Sequence, residues 1–287
     1  MRQGRCCTLP PAHNAYPQVV HIRRIAVANQ KGGVGKTTTV VNLGAALAEQ
    51  GRRVLVVDLD PQANASTWLG TVDARALYEV FENGAPLEKA VRATNVDNLD
   101  LVPSSSWMTR AERNATTQAG AEMILRQAVE ELPPDGWDYI LMDCPPALGL
   151  LCYSALAACD EVLIPVQTRV MPLAGLVALN QTIDTVKLRL NRRLRLSAVL
   201  ATQVDRRTAL SREIVESLRE RFGDVVLQTM IRESVRVAEA PGHRLPVTIY
   251  APDSSVADDY RAAAAEFDAR SAADGESQAD GRLQRAR

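Results

Sequence analysis

The stretch I-A-V-A-N-Q-K-G-G-V-G-K-T-T-T, which spans Ile25 to Thr39, decides the fold. Its first four residues are apolar or small and predict a buried strand, whereas the run from Val40 to Glu49 predicts a helix. A strand, a glycine-rich turn and a helix in this order form the context of a phosphate-binding loop. A simple tight turn is the alternative, and the lysine and threonine after the last glycine argue against it.

The loop residues carry the chemistry that phosphate binding requires. Glycines lack a Cβ, so the backbone can turn sharply and bring its N–H groups against phosphate oxygens at the start of a helix. The charge of Lys36 is expected on the outer phosphates, and the Thr37 hydroxyl is placed to ligate Mg²⁺. The predicted nucleotide-binding segment comprises Lys31, Gly32, Gly33, Val34, Gly35, Lys36, Thr37 and Thr38.

The loop departs from the usual pattern at its beginning. Gln30 stands where that pattern has glycine, and a second lysine, Lys31, opens the turn. The sequence K-G-G-V-G-K-T-T resembles the deviant P-loop of the ParA/MinD superfamily, and the chain is similar to partition ATPases of the ParA/Soj type. This resemblance implies that Lys31 reaches the nucleotide of a second subunit, so that ATP builds a sandwich homodimer.

Acidic residues end two further apolar strands. The strand predicted over Arg53–Val57 stops at Asp58 and Asp60, whose spacing of two places both carboxylates on the same side. By the resemblance, Asp60 orients the attacking water and Asp58 lies near the Mg²⁺ shell. The strand predicted over Tyr139–Met142 ends in Asp143, which looks like the Walker B residue that holds Mg²⁺ through a water.

Two departures from the family pattern lie in later loops. The segment that begins at Ile231 resembles the motif I-P-R-N-V-R-L-S-E-A-P, in which the Pro and the Asn border the adenine. Arg232 and Ser234 replace them, so the resemblance implies a retained pocket with different base contacts. Two residues after Gln167, where the family commonly has an acidic residue, the chain has Arg169.

The whole pattern predicts an α/β fold with one doubly wound, mostly parallel sheet and helices on both faces. The domain is expected over residues 22–270, between a disordered extension at 1–21 and a disordered polar tail at 271–287. One long helix is predicted over Ala111–Leu132. The core face of a later helix is expected to comprise Leu210, Ile214, Leu218 and Phe222.

The cysteines and the hydropathy limit the compartment. An odd number of five cysteines argues against a complete disulfide framework and favours a reducing cytoplasm. An iron–sulfur ligand set is the alternative for Cys144, Cys152 and Cys159, but their pattern does not match that of the nitrogenase iron protein, and small buried hydrophobes are the better interpretation. No window approaches the ~18 apolar residues of a membrane span, and the tail lacks a MinD-type amphipathic helix, so no membrane partner is expected.

Basic residues cluster after residue 186, although the formal net charge of the chain is -1. The segment from Lys187 to Arg195 contains five basic residues and no acid. A solvated helix face is the common explanation of such a run, but the corresponding region of the ParA family binds DNA without sequence preference. The predicted DNA-binding residues are Lys187, Arg189, Arg192, Arg193, Arg206, Arg207 and Arg236.

The resemblance implies slow hydrolysis of MgATP to ADP and phosphate, with Lys31, Lys36 and Asp60 as the catalytic residues. It further implies an ATP-dependent homodimer that binds non-specific double-stranded DNA, associates with the nucleoid and is stimulated by a ParB-like centromere-binding protein. The alternative is an ATPase that positions a protein cargo and has no role on DNA.

Overall fold

The computed structural model describes residues 22–71, 73, 75–169 and 173–285, and the side chains of these residues except at 173–175 and 271–285. The predicted disordered extension at 1–21 lies outside the described residues. Residues 72, 74, 170–172 and 286–287 also lie outside the described residues.

Seven strands form one sheet in the described part of the chain. They are β1 Arg23–Val27, β2 Val54–Asp58, β3 Arg92–Ala93, β4 Leu99–Val102, β5 Tyr139–Asp143, β6 Glu161–Gln167 and β7 Arg195–Thr202. Their order across the sheet is β3-β4-β2-β5-β1-β6-β7, and every neighbouring pair is parallel except β3 with β4. The predicted fold class is confirmed.

Helices cover both faces of the sheet. They are α1 Lys36–Glu49, α2 Asn64–Trp68, α3 Ala76–Asn83, α4 Trp107–Ala115, α5 Ile124–Glu130, α6 Leu150–Ala158, α7 Leu173–Arg189, α8 Ala209–Phe222, α9 Val235–Glu239, α10 Val247–Tyr250 and α11 Ser255–Arg285. In β1, Ile25 and Val27 join the core beneath α1 and α11, whereas Ala26 joins the core on the opposite face. Burial on both faces explains why the central strands are continuous apolar runs rather than alternating ones.

The long helix predicted over Ala111–Leu132 is wrong. The chain leaves helical geometry after Ala115, and Gly120 adopts a left-handed conformation with φ of 78° before α5 begins. The Thr116 hydroxyl donates to the Glu112 carbonyl at 2.6 Å. Hydroxyl groups of this kind compete with the backbone hydrogen bonds of a helix. The helix-favouring segments before and after Thr116 therefore form two helices instead of one.

Two other boundaries differ from expectation. Leu210, which was predicted in the core face of α8, is 45% exposed in the first turn of that helix. Ile214 and Leu218 are buried as predicted. Helix α11 continues to Arg285, past the expected end of regular structure at residue 270. The domain boundary at 270 stays a prediction. Within the described residues, no helix has both the length and the apolar character that crossing a bilayer requires.

The parallel strands bring their carboxyl ends to one side of the sheet, which we call the carboxyl edge; the opposite side is the amino edge. Asp58, the last residue of β2, pairs in register with Asp143, the last residue of β5. Asp143 in turn pairs with Val27 at the end of β1, where the glycine-rich loop begins. The three predicted nucleotide motifs therefore meet at the carboxyl edge.

Candidate nucleotide-binding site

The glycine-rich loop connects β1 to α1 in the conformation that its glycines permit. Gly33 and Gly35 have φ values of 73° and 90°, in the left-handed region that residues with a Cβ rarely adopt. Gly35 is the residue before α1, and no side chain caps this helix end. The first N–H groups of α1 are thus available to an anion held by the loop.

Residues from distant strands hold this loop in place. The Asn29 side chain accepts a hydrogen bond from the Lys31 amide at 3.1 Å and donates one to the Pro165 carbonyl at 2.8 Å. From the end of β7, the Thr202 hydroxyl donates to the Val34 carbonyl at 2.9 Å. Sequence reasoning missed these contacts, because Asn29 is not part of any phosphate-loop pattern and Thr202 is far along the chain.

Lys36 lies within the site as predicted. Lys36 is only 7% exposed, and its ammonium donates a hydrogen bond to the Lys31 carbonyl at 3.3 Å. Burial lowers the pKa of Lys36, and the negative charges of Asp143 and Asp60 oppose that change. The ammonium therefore lies close to both acidic motifs, where it can bind a phosphate without leaving the loop.

The two strand-terminal carboxylates differ in their hydrogen bonding. Asp58 accepts hydrogen bonds from the Ser66 amide at 2.9 Å, from the Ser66 hydroxyl at 2.6 Å and from the Asp60 amide at 3.1 Å. Its burial raises its pKa to about 6, although these hydrogen bonds act in the opposite direction. Asp58 is therefore largely satisfied by the protein. Ser66, which sequence reasoning did not select, is the residue that fixes it.

Asp143 is buried and neither of its carboxylate oxygens has a hydrogen bond of good geometry within the described chain. Burial and the neighbouring charge of Asp58 raise its pKa well above the usual range, whereas the nearby Thr37 hydroxyl lowers it. A buried carboxylate without a partner is costly unless a cation joins it. With Thr37 and Asp143 as oxygen donors, this arrangement fits Mg²⁺, which favours carboxylate, hydroxyl, phosphate and water ligands.

Asp60 lies beyond the end of β2, close to both Lys36 and Asp143. It is buried, and one of its oxygens accepts a hydrogen bond from the Gln62 amide at 2.9 Å. Its charge raises the pKa of Asp143, which places the two carboxylates within electrostatic reach of each other. The structure therefore brings Lys36, Thr37, Asp58, Asp60 and Asp143 together.

Lys31 is at the outer side of the same loop. Its side chain is exposed, and within the described residues it makes no hydrogen bond or ion pair. The backbone of Lys31 is fixed at both its amide and its carbonyl, by Asn29 and Lys36. Lys31 is thus a cation with a fixed backbone and an exposed side chain.

A cavity of about 350 Å³ opens beside the loop. Its lining includes Gly35 and Thr38 from the loop and helix α1, together with the predicted base-contacting residues Arg232 and Ser234. Its aromatic lining residues are Trp68 and Tyr260 of α11. Ser234 is the residue before α9 and caps it by accepting a hydrogen bond from the Arg236 amide at 3.2 Å.

The three later cysteines are buried and free, as the sequence predicts for small apolar residues. Cys144, Cys152 and Cys159 are each no more than 1% exposed. Within the part of the chain that the structure describes, no group of three or more His, Cys, Asp or Glu side chains could hold a metal ion.

The predicted DNA-binding residues do not form one surface. The amino-edge basic group, defined as Lys187, Arg189, Arg192 and Arg193, is exposed between the end of α7 and the start of β7. Arg193 lies 3.4 Å from Asp160, directly before β6, which fixes this group at the amino edge.

The carboxyl-edge basic group comprises Arg206, Arg207 and Arg236. Arg206 and Arg207 follow the end of β7, and Val204 pairs with Arg232 of the segment that leads to Arg236. Two of the three are engaged in surface ion pairs, Arg207 with Asp205 and Arg236 with Glu239. The eight residues of β7 separate the two basic groups by about 25 Å.

These features define a phosphate-binding-loop ATPase with a doubly wound sheet, and the comparisons with known proteins agree. The family described as AAA domain matches residues 22–196. The chain is 43% identical to the sporulation initiation inhibitor protein Soj of Bacillus subtilis over 82% of this chain and 94% of that protein. It is 44% identical to the chromosome-partitioning ATPase Soj of Thermus thermophilus over 87% and 96% of the two chains.

Solved structures lead to the same class. The cobyrinic acid a,c-diamide synthase of Mycobacterium smegmatis with bound ATP analog and magnesium has a TM-score of 0.73 and 34% identity, with 85% and 93% of the two chains covered. The septum site-determining protein MinD of Pyrococcus horikoshii, complexed with Mg-ADP, has a TM-score of 0.72 and 27% identity, with 86% and 96% covered. The chain belongs to the AAA-domain family and, within it, to the partition ATPases of the ParA/Soj type.

Proposed function

We propose that this partition ATPase binds MgATP at the carboxyl edge and uses it as a dimerisation signal. The observation that carries the proposal is the buried carboxylate of Asp143, which accepts no hydrogen bond of good geometry within the described chain and lies near Thr37 and Lys36. Lys36 and the loop amides bind the phosphates. Thr37 and Asp143 would hold Mg²⁺, with Asp58 behind them, and the ion would neutralise charge on the phosphate oxygens.

Asp60 is the residue proposed to orient the attacking water. It is close to Lys36 and Asp143, and its backbone is fixed by the hydrogen bond from its amide to Asp58. We expect Asp60→Ala to bind ATP and to dimerise, but to lose turnover by about 100-fold, the lower range for loss of a general base. Phosphate release under saturating MgATP measures this. Wild-type turnover in Asp60→Ala would remove Asp60 from the mechanism.

Lys31 connects nucleotide binding to dimerisation in this proposal. An exposed lysine on a fixed backbone can contact a nucleotide held by a second copy. We expect Lys31→Ala to bind ATP as a monomer, whereas the exposed Lys89→Ala, outside the site, dimerises normally. Light scattering with and without MgATP separates them. ATP-dependent dimers of Lys31→Ala would contradict the proposed role.

Slow intrinsic turnover follows from the same arrangement. Within the described residues, the side chain of Lys31 forms no hydrogen bond or ion pair with the acidic cluster of its own chain. We therefore propose that an isolated subunit lacks one of its two loop cations at the phosphates. Charge-stabilising groups supplied by a second molecule commonly accelerate phosphoryl transfer. We propose that the second subunit and a ParB-like partner complete the site.

The ATP-bound dimer is proposed to bind double-stranded DNA without sequence preference and to associate with the nucleoid. Two weak basic surfaces held in one dimer act at a high effective concentration, so affinity rises without a new contact. The amino-edge group supports this role best, because only Arg193 of its four members has an ion pair in the described chain. Its contacts would be to phosphates and would weaken as salt rises.

Charge reversal separates the two basic groups. We expect Arg189→Glu with Arg192→Glu to weaken binding of a non-specific duplex by at least about tenfold while leaving ATP-dependent dimers intact. Arg212→Glu, on the charge-balanced face of α8, is the matched control. Gel shifts with MgATP measure the difference. If reversal at Arg206 and Arg236 weakens binding and reversal at the amino edge does not, the DNA surface lies at the carboxyl edge instead.

A further inference from the structure

The wall of the cavity beside the glycine-rich loop contains an arginine whose side chain is fixed by a carboxylate. Arg232 lines the cavity, and its Nε and Nη2 atoms donate to Asp259 at 2.7 and 2.9 Å. The Arg232 amide donates to the same carboxylate at 3.1 Å. Asp259 is only 7% exposed on α11, so the guanidinium is fixed before any ligand arrives. The family motif has proline at this position, which has neither charge nor N–H.

Most other polar side chains of the cavity wall are already engaged. The Gln203 amide nitrogen donates to the Gly33 carbonyl at 3.1 Å, and its oxygen accepts from Gln167 at 2.7 Å. The Trp68 indole donates to the Leu245 carbonyl at 2.8 Å. Glu233 forms an ion pair with Arg169. These groups have little capacity left for recognition of a base.

Two donors of the cavity wall retain unused protons. The Nη1 amino group of Arg232 makes no hydrogen bond among the described residues. The Ser234 hydroxyl accepts from the Arg236 amide, and its own proton makes no hydrogen bond within that part of the chain. Both donors belong to residues that line the cavity, and the carboxylates of Asp259 and Glu233 are held by arginines.

A fixed hydrogen-bond donor such as Arg232 can distinguish between the two purines. The corresponding edge of guanine presents two acceptors, N7 and O6, whereas adenine presents one acceptor, N7, and one donor, the N6 amino group. We infer that Arg232 is a specificity-determining residue that contacts the purine edge and admits guanine nucleotides as well as adenine nucleotides. This inference rests on the proposed placement of the phosphates on the loop and of the base in the cavity.

The test is titration calorimetry of the full chain with Mg²⁺ and either ADP or GDP. We expect GDP to bind wild-type protein within about tenfold of ADP. Arg232→Pro should weaken GDP binding by at least about fivefold, the lower end for a pair between arginine and guanine, because Asp259 already holds two of the three guanidinium nitrogens. ADP binding should change by much less. Asp259→Asn, which keeps the cation but loosens its fixation, should give an intermediate loss for GDP.

Control variants separate a role of Arg232 in guanine binding from nucleotide binding in general. If Arg232→Pro does not fold, Arg232→Lys replaces the planar fork by a point charge and should also lose GDP selectively. Wild-type protein that binds ADP but not GDP would refute the inference and leave the proposed function standing. Equal loss of both nucleotides in Arg232→Pro would assign Arg232 a structural role only. Binding of neither nucleotide by wild-type protein would refute the proposed function as well.

Discussion

Replacement of Thr202 by valine tests how the phosphate loop is held. Thr202 is 3% exposed, and its hydroxyl donates to the Val34 carbonyl at 2.9 Å across 168 positions of sequence. Valine has the same shape but no hydroxyl. The Val34 carbonyl, in a residue that is itself buried, then has no hydrogen-bond partner in the described chain while the loop keeps this conformation.

The size of the effect follows from that lost partner. A buried carbonyl left without a hydrogen bond costs about 1–3 kcal/mol. In Thr202→Val, the loop avoids this cost by leaving the conformation that presents its amides to phosphate. Phosphate binding must then restore that conformation, with its unpaired Val34 carbonyl. If the whole cost falls on the loop, affinity for a nucleotide decreases by about 5- to 150-fold. ADP and ATP should be affected equally, because both place phosphates on the same amides.

Titration calorimetry with MgADP and with a non-hydrolysable MgATP analogue measures this change. Thr182→Val is the matched control, because the Thr182 hydroxyl is also buried and donates to a backbone carbonyl, that of Ala178, at 3.0 Å. That carbonyl lies within α7, where the helical ladder supplies a second partner, so little should change. If Thr202→Val binds both nucleotides as tightly as Thr182→Val does, the tether does not position the loop.

Further predictions concern ion pairs. Glu233 lines the cavity and forms an ion pair with Arg169. Reversing either charge alone should weaken nucleotide binding by up to about fivefold, and the double reversal should restore it in the same titration. Arg23 pairs with Glu161 at 2.7 Å with side chains 10% and 7% exposed. In urea titrations, Arg23→Ala should therefore lower the free energy of unfolding by about 3–5 kcal/mol. The exposed Arg53→Ala should lower it by about 1 kcal/mol or less. Equal losses in the two variants would contradict this expectation. Burial raises the pKa of Glu161, but the Arg23 guanidinium more than offsets this effect, so the folded-state pKa is below the usual value. The stabilisation of the wild-type protein by this pair is therefore present above about pH 4.5 and is lost as the pH falls through the folded-state pKa.

The nucleotide motifs could be located from the sequence because each lies at the end of an apolar strand. Asp58 and Asp143 follow strands whose composition indicates burial, and parallel strands must end at one edge. That logic places both residues beside the loop, and the register confirms it. Lys36 and Thr37 are in the same continuous segment as the loop glycines, so their spacing alone determines their place.

Contacts between distant segments could not be predicted in this way. Nothing local to Thr202 indicates that its hydroxyl holds the loop, and nothing local to Asp259 indicates that it fixes Arg232. The basic residues after position 186 looked like one cluster in the sequence. The length of β7 places Arg206 at the opposite edge of the sheet from Arg189, which only the three-dimensional path of the chain reveals.

We propose that ATP, through dimerisation, controls binding to DNA. Fluorescence anisotropy of a labelled non-specific duplex tests this switch when the protein is titrated in MgATP, in MgADP and without nucleotide, with dimer content measured in parallel. Tight binding is expected in MgATP alone, with log K falling linearly with log salt. Dimers in MgATP that do not bind the duplex would favour a cargo-positioning ATPase, and equal DNA binding in all three conditions would contradict the switch.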